Sequence, residues 1–220
     1  MTTGPEIVMQ RRRLCTVMLL GCWFLLGGCT ASTRVGDRAA TEPSTPASAA
    51  DARYRNPAHH EPLPKVLANP LVEIHKRKKT LYLFEGNKLW RAYPVLIGQN
   101  PEDDKVRRGD LCTPEGKFYI SHKNAQSKYH LSLGLSYPNL EHAERGLRDR
   151  LIDERQYDSI VRSITQGRMP PSNTALGGDI FIHGDGEFWQ WTYGCVALRN
   201  KDIDEIFPVL KVGTEVIIKK

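Results

Sequence analysis

The sequence predicts a mainly β domain with a few short helices over residues 69–220, reached through an export signal and a tether. Three observations predict it. Apolar residues alternate with period two through much of residues 70–97, helical periodicity is clear in one stretch only, and fifteen of the 21 residues from Thr30 to Ala50 are Ala, Ser, Thr or Pro. A segment of that last composition buries too little apolar surface to offset the entropy of ordering it.

The chain opens with Arg11, Arg12 and Arg13 ahead of a mostly apolar run from Leu14 to Leu26, too short to span a bilayer comfortably. It reads as an export signal over residues 1–28. Small Gly27 and Gly28 precede Cys29, and "LLGGC" resembles the bacterial lipobox, cut before a cysteine that is then acylated. Cys29 is therefore the expected lipidation site, and Thr30 after it, in place of aspartate, points to the outer membrane rather than the inner. The alternative is an uncleaved anchor in which Cys29 is an ordinary apolar residue. Residues 29–68 form the expected tether, about 35 Å in flexible reach, which makes the predicted location periplasmic and lipid-anchored.

Elements of the domain follow in order. Val72/Ile74, Leu81/Leu83 and Tyr93/Val95/Ile97 mark three strands of an antiparallel meander, with "EGN" at 85–87 as a turn. "GDLCTPEGKFYIS" adds a turn and strand over 109–121, and Leu131, Leu133 and Leu135 alternate along a strand that ends at Pro138. Tyr157, Ile160, Val161 and Ile164 share one helical face behind Asp153, and Gly167 and two prolines close that segment. A second, shorter helix starts with Asn200 as N-cap, carries acidic Asp202, Asp204 and Glu205 near its positive end, and stops at Pro208. "TEVIIKK" at 214–220 is the last strand.

Charge and cysteine count narrow the function. The formal charge of +6 falls to +4, 28 basic against 24 acidic residues, once residues 1–28 are removed. Nucleic-acid binders concentrate basic residues with aromatics, whereas "HKRKK" at 75–79 is one cluster, read as a solvated hairpin tip; no nucleic acid partner is expected. Only Cys112 and Cys195 are left after export and lipidation, too few for a disulfide-stapled fold. A regulatory disulfide between them is a possibility that spacing leaves open.

The chemistry concentrates in "FIHGDGEFWQWTYGCVALRN", residues 181–200. Ile180 and Ile182 make a buried strand that delivers His183 to its end, and apolar residues after Cys195 anchor the thiol. A neighbouring imidazole activates a thiol by taking its proton, and backbone N–H groups of Gly194 and Cys195 in a glycine turn suit an oxyanion. Taken singly, a strand-end histidine and a lone cysteine are more often structural. No CxxC or HxxxH spacing supports a metal site, and no cofactor is called for.

"IHGDG…TYGCVALRN" resembles the signature of the L,D-transpeptidase (YkuD-like) family. "GDLCTPEGKFYI", "LSLGLSYPN" and "NKDIDEIFPVLKVGTEVII" extend the resemblance over nearly all of residues 70–220. The resemblance implies a YkuD-like β-sandwich, Cys195 as nucleophile, His183 as general base, and the Gly184 carbonyl orienting the imidazole. It also implies acyl transfer from peptidoglycan stem peptides to an amine through a thioester, forming crosslinks or attaching a lipoprotein to the wall. Some relatives hydrolyse such linkages instead, as an L,D-carboxypeptidase or amidase would. A wall-binding lipoprotein that has lost activity is a third reading, which intact Cys195 and His183 argue against.

Departures from the family pattern bear on substrate. Tyr193 stands where many members have histidine, Ala197 where an arginine is common, and the loop from His183 to Thr192 is short. Tyr193, Thr192, Trp191, Arg199 and Tyr137 are the candidate substrate-binding residues, Arg199 for a diaminopimelate carboxylate and Tyr137 from a segment that by family analogy folds over the site. Trp189 joins Trp191 as a candidate wall of the acyl-donor groove.

Overall fold

The computed structural model describes residues 53–54, 57–59 and 61–220. The predicted signal, Cys29 and the tether as far as residue 52 lie outside them. Among the described residues there are eight strands and three helices: β1 (Pro70–His75), β2 (Thr80–Glu85), β3 (Lys88–Pro94), β4 (Gly116–Ser127), β5 (His130–Leu135), α1 (Leu140–Arg148), α2 (Glu154–Thr165), β6 (Phe181–His183), β7 (Val196–Ala197), α3 (Asn200–Ile206) and β8 (Glu215–Lys219). The mainly β expectation holds. The strands form one curled sheet in the order β3-β2-β1-β8-β4-β5-β6-β7.

The predicted meander is the β3-β2-β1 edge of that sheet. The last strand, β8, inserts at its centre, parallel to β1 and antiparallel to β4. Twelve-residue β4 then serves both halves: Gly116–Tyr119 pair with β8, and from Ile120 onward it pairs with β5 across irregular register. Such irregularities bend a strand. The bend lets both halves face one core, in which Val72, Ile74, Leu83, Ile120, Leu133 and Ile182 are fully buried. Beyond β3, Leu96 exchanges both backbone hydrogen bonds with Ala197 of β7, at 2.8 and 2.9 Å, so the two ends of the sheet meet.

Helix α2 matches the sequence pattern, with Asp153 as N-cap in a reciprocal capping box with Gln156 and Gly167 at φ +65° after it. Helix α3 begins one residue earlier than expected, with Arg199 at the N-cap position. Asn200 does not cap it, because its side chain is engaged elsewhere. Helix α1 has no counterpart in the sequence reading; Asn139 caps it through a bond from the His142 N–H.

Two expectations are corrected by packing. Lys76, placed on a solvated tip, is fully buried, and its ammonium donates to Glu115 at 2.7 Å and to the Asp103 carbonyl at 2.6 Å. Only Arg77–Lys79 of that cluster are exposed. The described part of the expected tether also packs on the sheet. Tyr54 stacks edge-on to His75 and donates to buried Glu73, Arg53 pairs with the same carboxylate, and Leu67 is fully buried. Arg91 donates to the carbonyls of Ala58 and Glu61 and pairs with Glu205. Packed structure therefore begins ahead of residue 69.

Candidate active site

Strand β6 is held between β5 and β7, with Ser132 opposite His183 and Ala197 on its other side. This pairing fixes the position of His183, which is 5% exposed. Gly184 follows where the chain must pass close to its neighbours. A Cβ there would lie 2.5 Å from the Asn200 carboxamide oxygen and 2.9 Å from the Tyr129 carbonyl, so no larger residue fits without movement. The Gly184 N–H donates to the carbonyls of Tyr129 and Leu131.

The imidazole is fixed from two directions. Its Nδ1 lies 2.7 Å from the Gly184 carbonyl, and the Tyr129 ring stacks on it with centroids 4.6 Å apart. A carbonyl only accepts, so Nδ1 carries the proton and Nε2 of the neutral ring keeps its lone pair. Burial holds the His183 pKa below the ordinary histidine value, the Gly184 bond opposing it, and the ring is neutral at neutral pH.

Cys195 is set by a turn that needs glycine. Gly194 has φ +128°, and a Cβ on it would meet the Cys112 carbonyl at 2.7 Å. Thr192 braces the turn from inside: its hydroxyl donates to the Cys195 carbonyl at 2.6 Å and accepts from the Gly194 N–H at 3.1 Å. Asn200 ties down the chain after His183, accepting from the Asp185 N–H at 2.7 Å and donating to the Asp185 carboxylate at 3.1 Å. A trailing asparagine thus serves the loop that leaves the histidine.

The half-buried thiol of Cys195 rests 3.6 Å from the Asp179 carbonyl. Burial, with the Asp179 charge adding to it, pushes its pKa up to about 11, against the opposing influence of the Phe181 N–H and Lys105. Thiol and imidazole are therefore each uncharged at neutral pH. A preformed thiolate–imidazolium pair would show the opposite shifts.

Cys195 lies where two cavities meet. One, about 120 Å³, is walled by His183, Tyr129, Trp189, Trp191 and Tyr193. The other, about 290 Å³, is lined by residues including Lys105, Arg108, Asp179 and Tyr193. A larger cavity of about 400 Å³, between β4 and the start of α1, holds neither cysteine nor histidine. Among the described residues no three His, Cys, Asp or Glu side chains are grouped to hold a metal ion, and no helix is long and apolar enough to cross a membrane.

Residues 69–218 match the model of the YkuD family, the L,D-transpeptidase catalytic domain. The chain belongs to this family. Its similarity to YafK of Escherichia coli (strain K12), which carries the L,D-transpeptidase name provisionally, is 24% identity over 159 residues, 69% of this chain and 51% of YafK. YqjB of Bacillus subtilis (strain 168), provisionally named in the same way, is 26% identical over 162 residues, 74% of this chain and 76% of YqjB. The helical cell shape determining protein Pgp2 from Campylobacter jejuni is 24% identical at a TM-score of 0.44, covering 69% of this chain and 48% of that one. The chain thus spans about half the length of YafK and Pgp2. It carries an L,D-transpeptidase-type catalytic domain, of a class of enzymes acting on peptidoglycan.

Within this YkuD domain the sequence candidates separate. His183, Cys195, Thr192, Tyr193, Trp189 and Trp191 converge on one cavity. Others take different places. Tyr137 is fully buried, its hydroxyl donating to the Leu176 carbonyl, and offers no surface to a ligand. Arg199 pairs with Asp202 through two bonds, at 2.6 and 3.1 Å, and lines a separate cleft with Pro94 and Glu187. The Gly194 N–H is engaged by Thr192, whereas the Cys195 N–H has no hydrogen bond among the described residues. Thr192 itself is 8% exposed and braces the turn. Cys112 and Cys195 are both free thiols, and Cys112 donates to the Asp110 carbonyl instead.

Tyr129, Asp179 and the loop role of Asn200 escaped the sequence reading. Tyr129 sits in the β4–β5 turn and meets His183 only through the pairing of β5 with β6. No local pattern signals that contact.

Proposed function

We propose that this domain transfers a peptide acyl group from a peptidoglycan stem peptide to an amine, with Cys195 as nucleophile and His183 as general base. The observation that carries the reading is a thiol opening on two cavities, one of which it shares with an imidazole whose Nε2 is free to accept a proton. In the first half-reaction Sγ attacks the carbonyl carbon of the scissile amide while its proton passes to Nε2. The Cys195 N–H faces the developing oxyanion. The C–N bond then breaks, the leaving amine takes the proton from the imidazolium, and a thioester remains on Cys195.

In the second half-reaction the acceptor amine gives a proton to Nε2 as it attacks the thioester, the C–S bond breaks, and the thiolate recovers that proton. Two openings at one sulfur suit two peptides, a donor and an acceptor, and this favours transfer over hydrolysis. The N-terminal sequence supports a periplasmic enzyme anchored to the outer membrane through lipidated Cys29, its acceptors including other stem peptides or a wall-attached lipoprotein.

The test is incubation of the domain with purified peptidoglycan and mass analysis of the muropeptides, beside Cys195→Ala. New crosslinks absent from the variant are the expected outcome. Shortened or released peptides without crosslinks mean a hydrolase, and identical profiles for both proteins overturn the enzymatic reading.

A further inference from the structure

The proposed base must hold a positive charge while it carries a proton from sulfur or amine, and its ring is 5% exposed. Burial disfavours that charge. Among the described residues no carboxylate bonds the His183 ring; its polar contact is the Gly184 carbonyl on Nδ1, at 2.7 Å. The other group against the ring is the half-buried Tyr129, with centroids 4.6 Å apart and planes 28° from parallel. An aromatic face is negative in its quadrupole and attracts a cation more strongly than a neutral ring. The stack therefore favours the imidazolium over the resting imidazole, which is the difference that accelerates a reaction.

The tip of the β4–β5 hairpin places that face. Lys128 and Tyr129 form its turn, Ser127 and His130 pair across it, and the Tyr129 N–H donates to the Ser127 hydroxyl at 3.1 Å. The Tyr129 carbonyl accepts from the Gly184 N–H at 3.1 Å, so ring and backbone of one residue both hold the histidine segment. His130 takes φ +67°, and its Nε2 donates to the Asp204 carboxylate of α3 at 2.6 Å. Asp204 follows Asn200 by four residues, so one face of α3 holds both the hairpin tip and the loop that leaves the histidine. An exposed pair such as His130 and Asp204 adds little stability; it restricts the turn. Two further charges act on the stack: the Lys128 ammonium, 4.9 Å from the Tyr129 ring centroid, opposes the imidazolium, and the Asp185 carboxylate favours it.

We propose that Tyr129 is a positioning residue for the base: its ring face shares the charge that His183 acquires with the proton, and Asp204, through His130, keeps that face in place. The proposal rests on the acyl-transfer reading and adds to it the group that lets a buried imidazole without a carboxylate partner take up a proton. In each half-reaction the proton passes from sulfur or from the acceptor amine to Nε2, the ring becomes cationic against the Tyr129 face, and neutrality returns when the proton leaves. No bond to Tyr129 forms or breaks.

The experiment titrates His183 by NMR in protein labelled at the histidine Cε1 carbon, without substrate, for the wild type, Tyr129→Phe and Tyr129→Leu. The first variant keeps the ring face, and the second keeps apolar cover without it. Tyr129→Phe should match the wild type, and Tyr129→Leu should hold the His183 proton about twofold to thirtyfold more weakly, as expected for a lost cation–π contact. The acylation rate at saturating peptide should fall by a similar ratio, with KM unchanged. Asp204→Asn should lower that rate about twofold to threefold alone and no further on top of Tyr129→Leu.

A His183 proton held equally well or more tightly in Tyr129→Leu overturns the proposal. Equal losses in both Tyr129 variants overturn it too, by assigning the effect to the hydroxyl, as does a rise in KM without a fall in kcat, which assigns it to substrate contact. Additive losses in the double variant overturn the part given to Asp204. The titration needs no substrate, so the two readings fail separately. A protein that shows the expected order of variants yet forms no thioester sinks the function and keeps the stack; one that acylates normally without that order sinks the stack alone.

Discussion

The meander edge of the sheet and the catalytic edge are built on different principles. Strands β1, β2 and β3 are six or seven residues long, adjacent in sequence, and packed through Val72, Ile74, Leu81 and Leu83. Strands β6 and β7 have three and two residues, and the geometry around them is held by individual polar atoms: the Thr192 hydroxyl, the Asn200 carboxamide and the Gly184 carbonyl. One edge is stabilised by buried area, which tolerates volume-conserving exchange. The other depends on single hydrogen bonds whose loss displaces His183 or Cys195, the proposed base and nucleophile. Stability and chemistry should therefore separate under mutation.

The largest effect is expected at the catalytic edge. His183→Ala should lower the acylation rate by about 10²–10⁴-fold, the usual contribution of a general base, with the thermal midpoint nearly unchanged. A midpoint that falls in proportion to the rate breaks the comparison. Leu83→Ala, at a fully buried position of the meander, should cost about 2–5 kcal/mol of stability, while the rate per folded molecule, titrated by active thiol, stays at the wild-type level.

Gly194→Ala sharpens the comparison, since it places a Cβ against a backbone carbonyl at a φ that side chains avoid. About 1–3 kcal/mol of strain is expected, accompanied by lost activity, because relief of the strain moves Cys195. Thr192→Val removes the hydroxyl that braces the turn at both ends. It should cost about 1 kcal/mol, and kcat should fall more than KM rises.

The smallest effects are in pH dependence. The folded Cys195 pKa of about 11 lies above the ordinary thiol value of 9.0, so the folded state keeps a proton that the unfolded chain releases. Stability is full below pH 9 and is lost as pH rises toward 11; Cys195→Ala should flatten that limb. His183 is shifted the other way, so its contribution is lost as pH falls below the ordinary histidine value of 6.5. Urea titrations across both ranges check the signs. Iodoacetamide should modify Cys195 slowly at neutral pH and faster as pH rises.

The same division explains what could be read from the sequence. Period-two alternation revealed the meander, and the Asp153 capping signal revealed α2, because those patterns are local and repeat. His183 and Cys195 were legible for a related reason: a strand end beside glycine and a glycine turn both leave marks in a few residues. The burial of Tyr137 was not legible because its surroundings are non-local: Phe118, 19 residues away, and His142 pack against it. Arg199 instead pairs within its own helix start, with Asp202 at i+3. Lys76 looks solvated in "HKRKK" until Glu115 and the Asp103 carbonyl, 39 and 27 residues away, are brought to it.

Acylation of Cys195 is most directly measured by intact mass after mixing the protein with a stem tetrapeptide and quenching in acid within a turnover. The wild-type protein should gain the mass of the donor less its departing amino acid, on a peptide containing Cys195. His183→Ala should gain it far more slowly, and Cys195→Ala not at all. A wild-type protein that turns over substrate yet never carries the adduct, or an adduct that persists in Cys195→Ala, would contradict a thioester mechanism at this thiol.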